Sequence, residues 1–418
     1  MNAGLLPNYS TVAALFRPAD SGGRRNTGRS ERGIMNRERF TMELLGKSKN
    51  ELRDLCQSLG EPAYRGGQIY HALYAERKFD VQQMTNLPAA FRQRLAAEAQ
   101  ITLPTVRQRY ASQDGSMRYL FALHDAENEE RAGATADDTK GTAANRRPAA
   151  VEAVFMPSDG RQTICVSTQA GCAVDCHFCL TAQLGLIRNL TAGEIVGQVL
   201  VALDDAAPKT VDGTNAVQTN VVLMGQGEPL LNFDAVMAAL RILLDPGGVG
   251  ISPKHVTLST SGIIPGIERL GKEKIRPKLA ISLNASNDEQ RDALMPINRK
   301  YPLTALLEAC RNYPLRPWEH LTFEYVMLGG LNDSADDARC VVRLLGNLKS
   351  VKVNLIPWNP GDLPYRESSP EAIEVFRQIL TDRGVPAFVR YSRGRDVMAA
   401  CGQLALKDVG SSPLTVLH

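Results

Sequence analysis

Cysteine is scarce in this chain, at eight residues in 418, and histidine scarcer still, at six. So few thiols in so long a chain exclude a disulfide-stapled secreted scaffold and indicate a reducing compartment. No apolar run reaches the ~18 residues of a membrane span, and no h-region follows Met1. The expectation is a cytoplasmic protein without a membrane partner. Neither sign of charge dominates: 48 Lys and Arg against 45 Asp and Glu leave +3, so a nucleic-acid partner would need a local basic patch. A hydrophobic share of 44% is globular, and the length allows one large domain and a small one.

Against that scarcity, three cysteines crowd into one loop, Cys172-Ala173-Val174-Asp175-Cys176-His177-Phe178-Cys179, at Cx3Cx2C spacing. The β-branched run Thr163–Ser167 reads as a strand leading into it, Gly171 permits a sharp turn, and Phe178 supplies an apolar cover. Iron–sulfur clusters are usually held by four thiolates. Three would leave one iron open to a chelating ligand, which points to chemistry more than to electron carriage. The alternative is a structural zinc with His177 or a distant cysteine as fourth ligand, but zinc modules pair two such hooks and no second hook exists here.

Residues 1–35 lack helical or strand period and read as a disordered extension ahead of Met35. Residues 36–105 read as a small helical accessory domain. In it Ser48-Lys49-Asn50-Glu51 is a capping box, a second helix follows Tyr64, and a third spans Pro88 to Ala99. Residues 106–160 form a connector whose strands at 117–123 and 151–156 pair as a hairpin around a flexible insertion at 125–149. From 161 to 405 strands and helices alternate, and 406–418 is a tail. The strand candidates are Thr163–Thr168, Asn220–Met224, His255–Ser259, Lys278–Leu283, Thr322–Met327, Lys352–Ile356 and Ala387–Tyr391. They are short apolar runs without alternation, as in a parallel sheet buried on both faces. Thr191 and Glu194 box the helix at 192–204, Asn232 opens 233–245, and Ser369 with Pro370 starts the last helix, which Gly384 ends. Cys56, Cys310 and Cys340 fall on apolar helix faces and read as core. Polar, glycine-rich motifs then follow the strands: Gly225-Gln226-Gly227-Glu228-Pro229, Ser259-Thr260-Ser261-Gly262, Ser282-Leu283-Asn284 and Pro357-Trp358-Asn359-Pro360. Carboxyl ends of parallel strands are where such folds place their sites.

The three-cysteine spacing resembles that of the radical S-adenosylmethionine (radical SAM) superfamily. With CVSTQAGCAVDCHFCLTAQLG, MGQGEPLLN, VTLSTSG, INRKY, NLIPWNP and RGRDVMAACGQLA in view, the chain from about Phe40 to Ala405, apart from the insertion, resembles the RlmN/Cfr family of radical SAM RNA methyltransferases, its RlmN branch more closely. The resemblance implies an α/β fold, a partial (β/α)6 barrel with an N-terminal helical RNA-binding domain. It implies methylation at C2 of an adenosine in the peptidyl transferase centre of 23S ribosomal RNA and of adenosine 37 in tRNA. It also implies an external one-electron donor such as flavodoxin, and a monomer.

Carried over residue by residue, Cys172, Cys176 and Cys179 would hold one [4Fe–4S] cluster. Gly227, Glu228, Ser259, Ser282, Leu283, Asn284 and Asn359 would bind S-adenosylmethionine. Cys401 would become S-methylcysteine, Cys165 would be its resolving thiol, and Glu152 would accept a proton. Asn284 stands where histidine is common in the family, and Gln226 where methionine is. The implied route uses two S-adenosylmethionine molecules per turnover. One methylates the Cys401 thiolate. The second is cleaved reductively to a radical that activates the S-methyl carbon for addition to C2. Cys165 then attacks the Cys401 sulfur and releases the RNA. Alternatives are C8 methylation of the Cfr type, another radical SAM reaction such as peptide modification, or a non-catalytic iron–sulfur RNA-binding protein.

Overall fold

The computed structural model describes residues 42–123, 149–206 and 217–406. The extension expected at 1–35, nearly all of the insertion at 125–149, and the tail beyond its first residue lie outside those residues. A short strand β1 (Met42–Glu43) precedes the helices α1 (Lys49–Ser58), α2 (Tyr64–Tyr74) and α3 (Ala89–Glu98), and β2 (Ala99–Gln100) returns beside β1 in parallel. Ser48 caps α1 as its spacing predicts. Its hydroxyl accepts from the Glu51 N–H at 3.3 Å, and the Glu51 carboxylate accepts from the Ser48 N–H at 2.7 Å. Leu52, Leu55 and Cys56 of α1 bury against Ile69, Leu73 and Phe91. The Tyr74 hydroxyl donates to the Lys47 carbonyl and accepts from the Gly46 N–H.

The remaining strands join one ten-stranded sheet and a small hairpin. In chain order they are β3 (Thr105–Ala111), β4 (Met117–Ala122), β5 (Ala150–Ser158), β6 (Arg161–Cys165), the hairpin β7 (Gln169–Gly171) and β8 (Leu186–Asn189), β9 (Gln218–Leu223), β10 (Val256–Thr260), β11 (Lys278–Ser282), β12 (Leu321–Met327), β13 (Val351–Pro357) and β14 (Ala387–Val389). The helices between them are α4 (Ala192–Ala206), α5 (Phe233–Leu244), α6 (Ile264–Gly271), α7 (Asp288–Leu294), α8 (Leu303–Asn312), α9 (Ala335–Leu345) and α10 (Pro370–Asp382). The sheet order is β14-β13-β12-β11-β10-β9-β6-β5-β4-β3, parallel from β6 to β14 and antiparallel from β6 to β3. All seven expected parallel strands are present, joined by six helical crossovers, so the expected α/β half-barrel is the fold. Ile164, Val221, Leu258, Ile281, Phe323 and Leu355 are buried along it, one from each of β6 and β9 to β13, which is why these strands read as unbroken apolar runs.

Three details differ from the sequence reading. The connector is a continuation of the barrel sheet, and it contains β3, which the reading missed. Asn232 precedes α5 but makes no cap; its amide instead donates to the Thr168 and Leu190 carbonyls, each at 2.8 Å. Cys340 is half-buried beside Arg343, not core.

Gly66 on α2 lies so close to α1 that a Cβ there would sit 2.3 Å from the Arg53 nitrogen, whereas at Gly67 the nearest atom is the Lys49 Cε at 3.4 Å. Gly66→Ala should therefore destabilise by at least the ~1–3 kcal/mol of an overpacked contact. Gly67→Ala should be neutral or stabilising by up to about 1 kcal/mol, through helix propensity. Thermal unfolding of the two variants beside the parent checks the contrast; equal melting points would contradict the packing described.

Candidate active site

The loop after β6 is shaped by backbone approach. Gly171 has φ +72° and a Cβ there would meet the Gly185 carbonyl oxygen at 1.8 Å, so only glycine fits. The Cys172 N–H donates to that same oxygen at 2.9 Å. The Cys179 N–H donates to Cys176 O, and the His177 N–H donates to Leu294 O at the end of α7, each at 3.0 Å. Phe178 packs with Met295, Leu328 and Trp358 over Cys176 and Cys179, the apolar cover its place in the loop predicted. The three cysteines line one cavity of about 180 Å³. Burial pushes the Cys172 thiol up to about 11, and raises Cys176 with the neighbouring thiols adding to it. A coordinated metal would remove those protons outright.

The donor set fits an iron–sulfur cluster better than a zinc ion. Among the described residues no three His, Cys, Asp or Glu side chains converge as one ion requires. The thiols are instead spread around a cavity large enough for a body of several atoms. His177, the zinc alternative's fourth ligand, is exposed, lies outside the cavity lining and faces Asp175 at 3.9 Å.

Strand ends supply the other walls. Gly227 follows β9 with φ +94°, and a Cβ there would strike Gln169 Cβ at 2.5 Å. The Glu228 N–H donates to Gln169 Oε1 at 2.8 Å. The Glu228 carboxylate lines the cavity and is held by the N–H groups of Leu230 (3.0 Å) and Ser261 (2.7 Å) and by the Ser261 hydroxyl (2.8 Å). Burial raises its pKa and these donors oppose the rise. Ser259 and Ser282 oppose each other at 3.5 Å. Asn284, left-handed at φ +57°, accepts from the Val326 N–H at 2.8 Å and points its amide nitrogen at Met295 Sδ, 3.3 Å away. Leu283 does not line the cavity. Its side chain is core, and its backbone links to the Glu324 carbonyl and to Arg291.

Cys401 lines the same cavity, on a C-terminal strap pinned from several sides. The Asn359 amide donates to Cys401 O (3.1 Å), the Leu180 N–H to Gly402 O (2.8 Å), the Thr181 hydroxyl to Leu404 O (2.6 Å) and the Gln403 amide to Pro360 O (2.7 Å). Cys401 is exposed, though desolvation at its thiol is the leading cause of a raised pKa. That desolvation pushes it up to about 11, with Glu324 and Cys179 adding to the shift. Cys165 is behind the cavity wall, buried with Tyr110, Val154, Val397, Ala399 and Leu404. Burial raises its thiol, and the Cys401 charge adds to the rise. Glu152 is likewise behind it, fully buried, paired with Arg118 and accepting from the Leu406 N–H at 3.1 Å. Burial raises its carboxyl and Arg118 opposes.

The sequence reading missed two charged residues. Glu324 lines the cavity and accepts from the Asn354 amide at 2.9 Å. As the one acid in an apolar strand, LTFEYVM, it carried a signal. Arg291, buried in α7, carried none, because DEQRDAL reads as a solvated helix.

A parallel β/α half-barrel with a three-cysteine loop at the carboxyl end of its first parallel strand defines the radical SAM class. Residues 166–339 match the model of the Radical SAM superfamily, and residues 42–101 that of the ribosomal RNA large subunit methyltransferase N-terminal domain. A relative from Koribacter versatilis is 49% identical over 350 residues, 83% of this chain and 97% of its own length. The dual-specificity RNA methyltransferase RlmN of Anaeromyxobacter dehalogenans is 42% identical over 381 residues, 89% of this chain and 94% of its own. The crystal structure of a radical SAM methyltransferase from Sphaerobacter thermophilus superposes with a TM-score of 0.75 at 41% identity, covering 87% of this chain and 99% of that one. The chain belongs to the RlmN family of radical SAM methyltransferases.

Burial pushes the Glu324 carboxyl up to about 7. A carboxyl raised on folding stabilises the protein fully below its unfolded pKa and loses that contribution as pH rises through the folded value. Between about pH 5 and pH 8 this group should cost roughly 3 kcal/mol, at about 1.4 kcal/mol per pKa unit. Urea unfolding of the apoprotein across that range should show the decline, and Glu324→Gln should flatten it. A parent and variant with parallel pH profiles would contradict the assignment.

Proposed function

We propose that the protein methylates C2 of adenosine in 23S ribosomal RNA and in tRNA, through a methyl group carried on Cys401 and a covalent protein–RNA intermediate. The observation that carries this reading is the presence of Cys401 in the cavity lined by Cys172, Cys176, Cys179, Gly227 and Glu228. The RNA substrate class rests on the relatives' names and on the N-terminal domain match. A [4Fe–4S] cluster on the three cysteines, with S-adenosylmethionine bound, would supply both a transferable methyl group and one-electron cleavage chemistry.

The chain's own residues divide the remaining work. Glu228, Ser259, Ser282 and Asn284 shape the cofactor wall. Asn359 bonds to the Cys401 carbonyl and to the Ser392 hydroxyl, and so fixes where the Cys401 sulfur sits. C2 of adenine has no nucleophilic lone pair, so the methyl carbon must be delivered on a sulfur that can later be released. Cys401, as thiolate, accepts the methyl at Sγ. Once the methyl carbon has given up one hydrogen atom and is bonded to C2, with one electron and the C2 proton removed, the Cys165 thiolate attacks the Cys401 sulfur. Its electron pair forms the S–S bond, and the C–S bonding pair leaves with the carbon. That carbon takes a proton to become methyl. Glu152 would accept the C2 proton. Its carboxylate is occupied by Arg118 and the Leu406 N–H, so this role requires the strap end at Leu406 to swing clear.

Anaerobically reconstituted protein should carry about four irons per chain, and Cys176→Ala should lose them; zinc without iron would sink the reading. Cys165→Ala should permit the early steps and block release. Incubated with RNA, S-adenosylmethionine and reductant, it should give a slow-migrating species on denaturing electrophoresis that Cys165→Ala/Cys401→Ala lacks. Free C2-methyladenosine and no adduct from the single variant would remove Cys165 from the route, and methyl at C8 would reassign the target carbon.

A further inference from the structure

Arg291 is a fully buried cation on a helix of only seven residues. Its guanidinium hydrogen bonds all go to neutral oxygens: the carbonyls of Ser261 (2.6 Å), Ser282 (3.1 Å) and Leu283 (3.1 Å), and the Asn298 side-chain oxygen (3.0 Å). Asp288 and Asp292 meet it through Asn298, whose amide donates to them at 2.8 Å and 2.7 Å. A buried charge without a directly paired opposite charge is expensive. The position of α7 indicates where its partner belongs. The Arg291 carbonyl accepts from the Met295 N–H at 2.7 Å, Met295 lines the cavity, and the adjacent Leu294 carbonyl takes the His177 N–H of the cysteine loop. The guanidinium itself bonds to the carbonyls of Ser261 and Ser282, two residues that line the cavity shared with Cys172, Cys176 and Cys179.

We infer that Arg291 is the buried counter-cation of the iron–sulfur cluster and holds its reduction potential up, while its fork ties together the ends of β10 and β11 that wall the cofactor pocket. The inference rests on the cluster reading proposed above. A cluster with three thiolates is anionic, and reduction adds one further electron. A fixed cation nearby favours the more negative form and so raises the midpoint. Arg291 is thus a positioning and electrostatic residue that need not touch substrate.

The test is a midpoint titration of the reconstituted protein, followed by electron paramagnetic resonance, with iron counted in every sample. A parent without iron defeats the cluster reading itself; a parent with iron leaves the variants to decide on Arg291. Arg291→Gln should shift the midpoint to lower potential, and Arg291→Lys, which keeps the charge, should stay near the parent at neutral pH. An unchanged midpoint in Arg291→Gln, or equal shifts in both variants, would overturn the inference. Where Arg291→Gln fails to hold iron, the pH profile of Arg291→Lys decides. A buried lysine loses its proton between about pH 7 and pH 10, so its midpoint should fall across that range relative to the parent's, and profiles that run parallel would overturn the assignment.

Discussion

A hydrogen bond from the Thr181 hydroxyl to the Leu404 carbonyl, 2.6 Å long and spanning 223 residues of chain, closes the site. The strap that carries Cys401 has little apolar surface of its own; Val397, Ala399 and Leu404 make a small cluster apart from the main core. Its place is therefore set by hydrogen bonds worth ~1 kcal/mol each, from Asn359, Leu180, Thr181, Gln403 and Glu152. It also runs through left-handed backbone at Gly394, Met398, Gly402 and Leu406. The two non-glycine positions each cost of order 1 kcal/mol. A segment held by several modest bonds against local strain is ordered in one arrangement and can be released from it without unfolding the barrel, as the proposed role of Glu152 requires.

The buried charges around this strap are compensated in different ways, and the differences follow from their neighbours. Glu152 has an ion-pair partner in Arg118, whose guanidinium also lies 4.0 Å from the Tyr110 ring centroid. Glu228 is held by backbone N–H groups and a hydroxyl from two strand ends. Glu324 has one amide donor, and burial pushes its carboxyl up to about 7. Arg291 has carbonyls. Of these charged groups, the Glu228 and Glu324 carboxyls line the cavity, while Glu152 and Arg291 lie outside its lining.

Legibility in the sequence followed the same physics. Parallel strands buried on both faces leave unbroken apolar runs, and all seven were readable. β3 was not, because Thr105–Ala111 exposes most of its residues and keeps only Tyr110 buried. The cavity motifs were readable because tight turns at strand ends demand glycine and small polar residues. What could not be read were relations across the sheet. Glu152 was assigned by resemblance alone, and nothing local shows that Arg118, on the neighbouring strand β4, occupies its carboxylate. Leu283 sits in a cavity motif, but its side chain turns to the core because Ser282 and Asn284 take the cavity side of the turn. Arg291 looks solvated in its own helix; only the loops from Ser261 and Ser282 folding over it make it a buried cation.

The same close packing governs how the N-terminal helices are carried. A Cβ at Gly46 would meet the Gly193 backbone nitrogen of α4 at 2.4 Å, and one at Gly197 would meet Pro104 Cδ at 2.4 Å. At Gly46 backbone is therefore packed directly on backbone, and one turn further along α4 Gly197 packs on the Pro104 ring, so that neither position has room for a methyl group. Were the helices to bind RNA, as the family resemblance implies, this packing would hold the bound RNA at a fixed distance from Cys401. The adenosine must then reach the cavity by deformation of the RNA, with its unstacking offset by contacts to both parts of the protein.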